Sequence, residues 1–146
     1  MKKKIIKLCF VLGWMILIFI FSNQISNDST KLTNGILKTI IDLFNINEDF
    51  MNFMFIPLRK LAHFSEYLVL GILIINFIKE FNIDLRNMII YSLLLCVIYA
   101  VSDEIHQLFI SGRAGLITDV LIDTIGSMVG ISIYYLFNKK RNSIKR

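Results

Sequence analysis

The sequence contains little proline, cysteine or charge. Its 146 residues include one proline, two cysteines and seven glycines, and 18% of them are charged, against about 25% in a typical soluble domain. This composition excludes a collagen-like fibre, a disulfide-rich scaffold and a disordered chain. Cys9 and Cys96 both lie inside apolar runs, where we expect them to act as small apolar residues and not as a disulfide pair.

Apolar side chains are in large excess. They make up 55% of the residues, and the mean hydropathy is +0.65. A globule of this size exposes too much surface to hide so many isoleucine, leucine and phenylalanine side chains. A lipid bilayer supplies the missing apolar phase, which argues against an ordinary soluble enzyme.

Four long apolar segments predict an all-α, polytopic membrane protein with a four-transmembrane-helix bundle. We expect one domain over residues 1–146, with helices over about 5–22, 61–78, 88–110 and 116–137. Each segment is long enough to cross a hydrocarbon core about 30 Å thick. No small-x-small cleavage site follows the first segment, so a retained helix is expected there and not a signal peptide.

The outer segment, residues 23–60, is too long to be a simple connector. It contains apolar residues at helical spacing that predict an amphipathic helix on the outer membrane surface: Leu32, Ile36, Leu37, Ile40 and Phe44. The aromatic stretch 50–56 is suited to the membrane interface. Pro57 is expected to break the chain before the second crossing.

Basic residues are concentrated near the two termini. Nine of the sixteen lysines and arginines form these groups: Lys2, Lys3, Lys4, Lys7, Lys139, Lys140, Arg141, Lys145 and Arg146. The stretch between them contains all eleven acidic residues and is net negative. The positive-inside rule therefore predicts a multi-pass protein of the cell membrane with both termini in the cytoplasm. Two short basic tails make a poor groove-binding surface, so no nucleic-acid partner is predicted.

Ionisable residues converge on the predicted outer ends of the second, third and fourth helices. Asp119, Asp123, Gly126 and Gly130 share one helix face, and the two glycines favour close packing of a neighbouring helix. The carboxylates are therefore expected to point into the bundle and to form a polar pocket open to the outer surface. The expected binding residues are Arg59, Lys60, His63, Tyr67, Asp103, Glu104, Gln107, Arg113, Asp119 and Asp123.

Several interpretations of this polar pocket stay open. Ionisable residues inside a membrane indicate a functional site by default, but they can also form a structural ion-pair network. The ligand types would suit a metal, but their spacing is not diagnostic, so no metal or cofactor is predicted. Acid–base catalysis is a further possibility, although no nucleophile motif accompanies it. Its candidate residues are His63, Glu66, Asp103, Glu104, Asp119 and Asp123.

The motifs on these helices resemble the VanZ-like family, in order and along nearly the whole chain. They are a Ser-x-Gln exit at residues 22–24, RKLAHFSEY at 59–67 followed by Gly71, SDEIHQ at 102–107, Gly112-Arg113, and DVLIDTIG at 119–126. The chain departs from the family pattern at Leu116 and at the residue before Gly112. The resemblance implies a small multi-pass bacterial membrane protein, and the family's namesake is associated with teicoplanin resistance. The site residues that the resemblance implies for this chain are Lys60, His63, Tyr67, Asp103, Glu104, Gln107, Arg113, Asp119 and Asp123.

Two functions follow as hypotheses. The first is a non-enzymatic protein of the cell envelope whose outward-facing pocket binds a lipid headgroup, a cell-wall precursor, a glycopeptide antibiotic or a partner protein, with a role in teicoplanin-type resistance. The second is an outer-leaflet enzyme that acts on a lipid-linked substrate through His63 and carboxylates. Four helices are few for an alternating-access carrier. Membrane lipids are expected partners in both cases, and the oligomeric state stays open.

Overall fold

The computed structural model describes residues 2–23, 35, 39, 48–110 and 115–143, and it describes their side chains except at 48–56, 58–59 and 140–143. These residues form four long helices and one short 3-10 turn, Lys79–Phe81, which follows the second helix. The helices are α1 (Lys2–Ser22), α2 (Glu48–Ile78), α3 (Leu85–Gln107) and α4 (Ile117–Ser143). Each contains a stretch long and apolar enough to cross a membrane. The predicted all-α fold with four spanning helices is confirmed.

The second helix differs most from the prediction. It begins at Glu48 and continues through Pro57 to Ile78, so the expectation that Pro57 breaks the chain is wrong. An interior proline removes one backbone hydrogen bond, but the residues on both sides still favour a helix, and helices of membrane proteins accommodate such a residue. The predicted outer segment 23–60 therefore ends inside α2.

The other boundaries differ by smaller amounts. The first helix starts at Lys2, α3 ends at Gln107, and α4 continues to Ser143. The third helix stops before residue 110 because turn-type hydrogen bonds follow it, from Phe109 N to the His106 carbonyl and from Ile110 N to the Gln107 carbonyl. The amphipathic helix predicted over residues 32–44 lies outside the described residues, except for Gly35 and Thr39, which are both helical.

Contacts between distant residues show that the helices alternate in direction. Near the start of α1, the Lys7 ammonium lies 2.5 Å from the Glu80 carboxylate and donates to the Asn76 carbonyl at 3.0 Å. Further along α1, the Trp14 indole donates to the Glu66 carbonyl at 2.9 Å. The bundle therefore has a basic end, where Lys7 and Lys79 lie, and an opposite acidic end, where α3 finishes and α4 begins.

Glycines allow α2 and α4 to pack backbone against backbone. A Cβ atom on Gly126 would collide with the Phe64 carbonyl oxygen, and one on Gly130 with that of Leu68. On the facing helix, a Cβ on Gly71 would meet the Ser127 carbonyl oxygen at 2.5 Å. The sequence left open whether the GxxxG motif of α4 packs within one chain or between two, and in the structure it packs within the chain. It sets the carboxylates of the same face against α2.

Large apolar side chains cover much of the outside of the bundle. Phe10, Ile98 and Leu136 are each more than 60% exposed, in three different helices. In water such a surface would promote aggregation, whereas in a bilayer it contacts lipid tails. The chain is accordingly a membrane protein with four candidate spans.

Candidate functional site

Three helices bring buried polar side chains together near the acidic end. The second helix contributes a tyrosine, α3 two acids and a glutamine, and α4 two aspartates. Each of the six is less than 9% exposed. We call this group the acidic cluster: Tyr67, Asp103, Glu104, Gln107, Asp119 and Asp123. Asp123 lies six residues into α4, which places it about 10 Å along the helix from its start.

Asp123 lies at the centre of the acidic cluster. Its carboxylate experiences repulsion from Glu104, Asp103 and Asp119, and from Glu66 on α2. Tyr67 is also close enough to Asp103 and Asp123 for electrostatic interaction. Residues that are 56 positions apart in sequence thus share one small volume in which negative charge is concentrated.

Two hydrogen bonds hold three members of the cluster. The Gln107 amide donates to Asp103 Oδ2 at 3.1 Å, one helical turn away. The Leu116 backbone N–H donates to Glu104 Oε2 at 2.8 Å, just before α4 begins. Because this second bond uses the backbone, it is compatible with leucine at position 116, where the chain departs from the family pattern. Glu104 therefore fixes the start of α4 against the end of α3.

Several buried polar atoms of the cluster have no hydrogen-bond partner within the described part of the chain. They include both carboxylate oxygens of Asp123, which is 0% exposed. The others are Asp103 Oδ1, Gln107 Oε1 and the Tyr67 hydroxyl. Buried polar groups in folded proteins almost always have a partner, and those that lack one require an explanation. The acidic cluster thus has unused capacity to accept hydrogen bonds.

The remaining predicted residues lie on α2 or outside the described part of the chain. His63, Glu66 and Lys60 are half-buried on α2, and both His63 and Glu66 have interactions with other groups. The Arg59 side chain and the whole of Arg113 lie outside the described residues. Among the residues that are described, no three His, Cys, Asp or Glu side chains are arranged to hold a metal ion.

Aromatic residues next to the cluster were not predicted as part of it. The Tyr99 ring centroid lies 6.1 Å from that of Tyr67, and the Tyr99 hydroxyl donates to the Met15 carbonyl at 2.6 Å. Phe19 stacks on His106 with centroids 4.7 Å apart. Tyr99 lies one turn before Asp103 on the same helix face, a signal available in the sequence, whereas nothing in the apolar sequence of α1 marks Phe19.

An apolar groove opens beside the acidic cluster, between the end of α3 and the start of α4. Its volume is about 330 Å³, and its apolar wall includes Ile105, Leu108 and Ile117. Glu104 is the one charged residue among those that line it. All three apolar residues are more than half exposed, so the groove opens on the outer surface of the bundle. A ligand with an apolar tail and a polar head would find both environments next to each other here.

Four spanning helices with a buried acidic cluster define an integral membrane protein with a polar site inside the bundle. The chain matches the model of the VanZ/LLP1 family over residues 7–138, and it therefore belongs to that family. The match confirms the resemblance carried by the helix motifs. Searches of curated proteins and of solved structures each found no match.

Proposed function

We propose that this protein binds the polar head of a membrane-embedded ligand, and that the acidic cluster is the binding site. The observation that carries this proposal is Asp123, whose fully buried carboxylate accepts no hydrogen bond from any described residue. An unpaired buried carboxylate is strongly unfavourable, and a ligand that donates hydrogen bonds relieves it.

The charge of the cluster selects the chemistry of the ligand. Its carboxylates repel one another around Asp123, so an anionic group is disfavoured and N–H donors, above all an ammonium, are favoured. The neighbouring groove accommodates an acyl or prenyl tail. These two features support a lipid headgroup or a lipid-linked cell-wall precursor with amine or amide groups. A glycopeptide antibiotic also has amide N–H donors. The proposal therefore includes the role in teicoplanin resistance that the resemblance implies.

The headgroup preference is testable with the chain's own fluorescence. Trp14 is the single tryptophan, and its indole bonds to the Glu66 carbonyl beside the cluster. We expect phosphatidylethanolamine, with its N–H donors, to change Trp14 emission on titration into purified protein. Phosphatidylcholine with the same acyl chains has no N–H donor and is expected to bind weakly. Asp123→Asn is expected to weaken phosphatidylethanolamine binding at least about tenfold, because a charge-assisted hydrogen bond is lost.

Asp84→Asn is the matched control for that titration. It also removes one carboxylate, but at the basic end, where Asp84 caps α3 by accepting from Asn87 N, and asparagine caps equally well. Its affinity for phosphatidylethanolamine is expected to equal that of the wild type. Equal binding of the two lipids, or equal effects of the two variants, would overturn the proposed site. Teicoplanin and a lipid-linked cell-wall precursor are the next probes in the same assay.

The alternative is an enzyme with His63 and carboxylates as acid and base. An enzyme would convert the bound ligand into a product, whereas a binding protein would not. Binding alone leaves the mass of a lipid-linked precursor unchanged after incubation with the protein. A new product that disappears in His63→Ala, with a rate loss of about a hundredfold or more, would favour the enzyme.

We further propose that the acidic end faces outward from the cell membrane and that both termini are cytoplasmic, because the terminal groups are basic. Phe109 at the acidic end is 83% exposed. Phe109→Cys is therefore expected to react with a membrane-impermeant maleimide on intact cells, whereas Ile83→Cys at the basic end reacts only after lysis. The unsubstituted chain controls for Cys9 and Cys96. The reverse labelling pattern would invert the orientation.

A further inference from the structure

The basic end of the bundle contains a second groove, separate from the acidic cluster. It lies between the turn Lys79–Phe81, the start of α3 and the end of α4, and its volume is about 290 Å³. Its lining is Lys79, Leu85, Met88, Tyr134, Tyr135, Asn138 and Lys139. None of these residues takes part in the proposed function.

The lining is divided into a polar and an apolar part. Lys79, Asn138 and Lys139 lie at the ends of their spans, where the chain leaves the membrane. Leu85 and Met88 form the apolar wall. The tyrosines of α4 lie about one turn deeper than Asn138 and Lys139, a position typical of aromatic residues at a membrane interface.

Lys79 is held in place at this groove. Its ammonium donates to Asn138 Oδ1 at 3.1 Å and lies 5.8 Å from the centroid of the Tyr134 ring. The Tyr134 hydroxyl in turn donates to Asn76 Oδ1 at 3.0 Å. The position of the ammonium is thus set by contacts with α4, which lowers the entropy lost when a ligand binds.

The acidic residues of the connecting segment 79–84 do not neutralise this lysine. Glu80 pairs with Lys7, and the Asp84 carboxylate caps α3 at Asn87 N. The hydrogen bond of Lys79 is to a neutral amide, so its positive charge is retained, and Lys139 adds a second charge at the rim. The groove therefore offers positive charge above an apolar wall at the membrane surface.

We propose that this groove binds an anionic phospholipid of the surrounding bilayer. Its phosphate lies between Lys79 and Lys139, and an acyl chain packs along Leu85 and Met88. Basic pockets between spanning helices are suited to anionic headgroups. The lipid is favoured over a free phosphate because the apolar wall gives binding energy only to a ligand with a tail.

Native mass spectrometry of the purified full chain with added lipid tests this proposal. We expect the wild-type chain to retain phosphatidylglycerol in preference to phosphatidylcholine with the same acyl chains. Each lysine near a membrane surface strengthens anionic-lipid binding roughly fivefold, so Lys79→Gln with Lys139→Gln is expected to weaken phosphatidylglycerol binding about thirtyfold. Because the acidic cluster repels anions, phosphatidylglycerol is not expected to bind there.

Lys2→Gln with Arg86→Gln is the matched control, since it removes two positive charges from the same end at residues that do not line the groove. Its affinity is expected to stay near the wild-type value. An equal loss in both double variants would show attraction by overall charge and would overturn the proposal. Displacement of the lipid by inorganic phosphate would contradict the lipid assignment. Equal retention of phosphatidylglycerol and phosphatidylcholine by the wild-type chain would by itself overturn the proposal.

Discussion

Gly130→Leu is expected to prevent the chain from accumulating as a folded, monodisperse protein. A Cβ at position 130 would overlap the Leu68 carbonyl oxygen, and a backbone atom cannot move aside as a flexible side chain can. Overpacking of a well-packed interface costs about 1–3 kcal/mol or more, and here the only relief is separation of α2 from α4. Fluorescence-detected size-exclusion chromatography in a mild detergent measures the loss.

Gly13→Leu is the control for this substitution. A Cβ on Gly13 in α1 has nothing within 4 Å, so the same change of residue type adds only lipid-facing apolar surface. This variant is expected to elute with the wild-type profile and yield. Similar profiles for the two leucine variants would show that close approach at Gly130 is unnecessary for folding.

Asp123→Val and Glu104→Val are expected to change stability in opposite directions. The Asp123 carboxylate is buried and repelled by neighbouring carboxylates, and it accepts no hydrogen bond from described residues. Replacement of a whole buried ion pair by apolar side chains is often neutral or stabilising by about 1–4 kcal/mol, and we expect the same direction for a buried carboxylate that is repelled by its neighbours. Glu104 accepts from Leu116 N, so its loss leaves that N–H unpaired and costs about 1–3 kcal/mol.

Thermal melting of the ligand-free proteins in detergent measures this difference. The melting temperature of Asp123→Val is expected to equal or exceed that of the wild type, while that of Glu104→Val falls. A structural ion-pair network, the main alternative for the cluster, requires that loss of Asp123 also destabilises the protein. A clear fall in the melting temperature of Asp123→Val would therefore favour the structural interpretation.

Much of the bundle follows from sequence periodicity. Helix phase places Asp119 and Asp123 on the face of Gly126 and Gly130, and this face packs against α2 in the structure. Helix phase predicts this face because a glycine pair allows a neighbouring helix to approach closely. Acidic side chains in a membrane segment are costly when they face lipid, so they favour the same interface. The aromatic neighbour Tyr99 was accessible by the same reasoning.

Other features depend on three-dimensional packing that the pattern does not encode. No charged residue between Lys7 and Ser22 marks a packing face of α1, so the contacts of Trp14 with Glu66 and of Phe19 with His106 were not predictable. The effect of Pro57 was mispredicted because local propensity weighs less than the continued helix around it. The grooves at the two ends depend on how far the helices diverge, which no single segment determines.

The most direct test of the account is a set of four melting temperatures, for the wild type and Asp123→Val, each with and without phosphatidylethanolamine. A ligand that binds only the folded state raises stability by about 2.7 kcal/mol at a hundred times its dissociation constant. We expect the lipid to raise the melting temperature of the wild type but not that of the variant, which without lipid is at least as stable. If the lipid stabilises both proteins equally, or neither, Asp123 is not at a ligand-binding site.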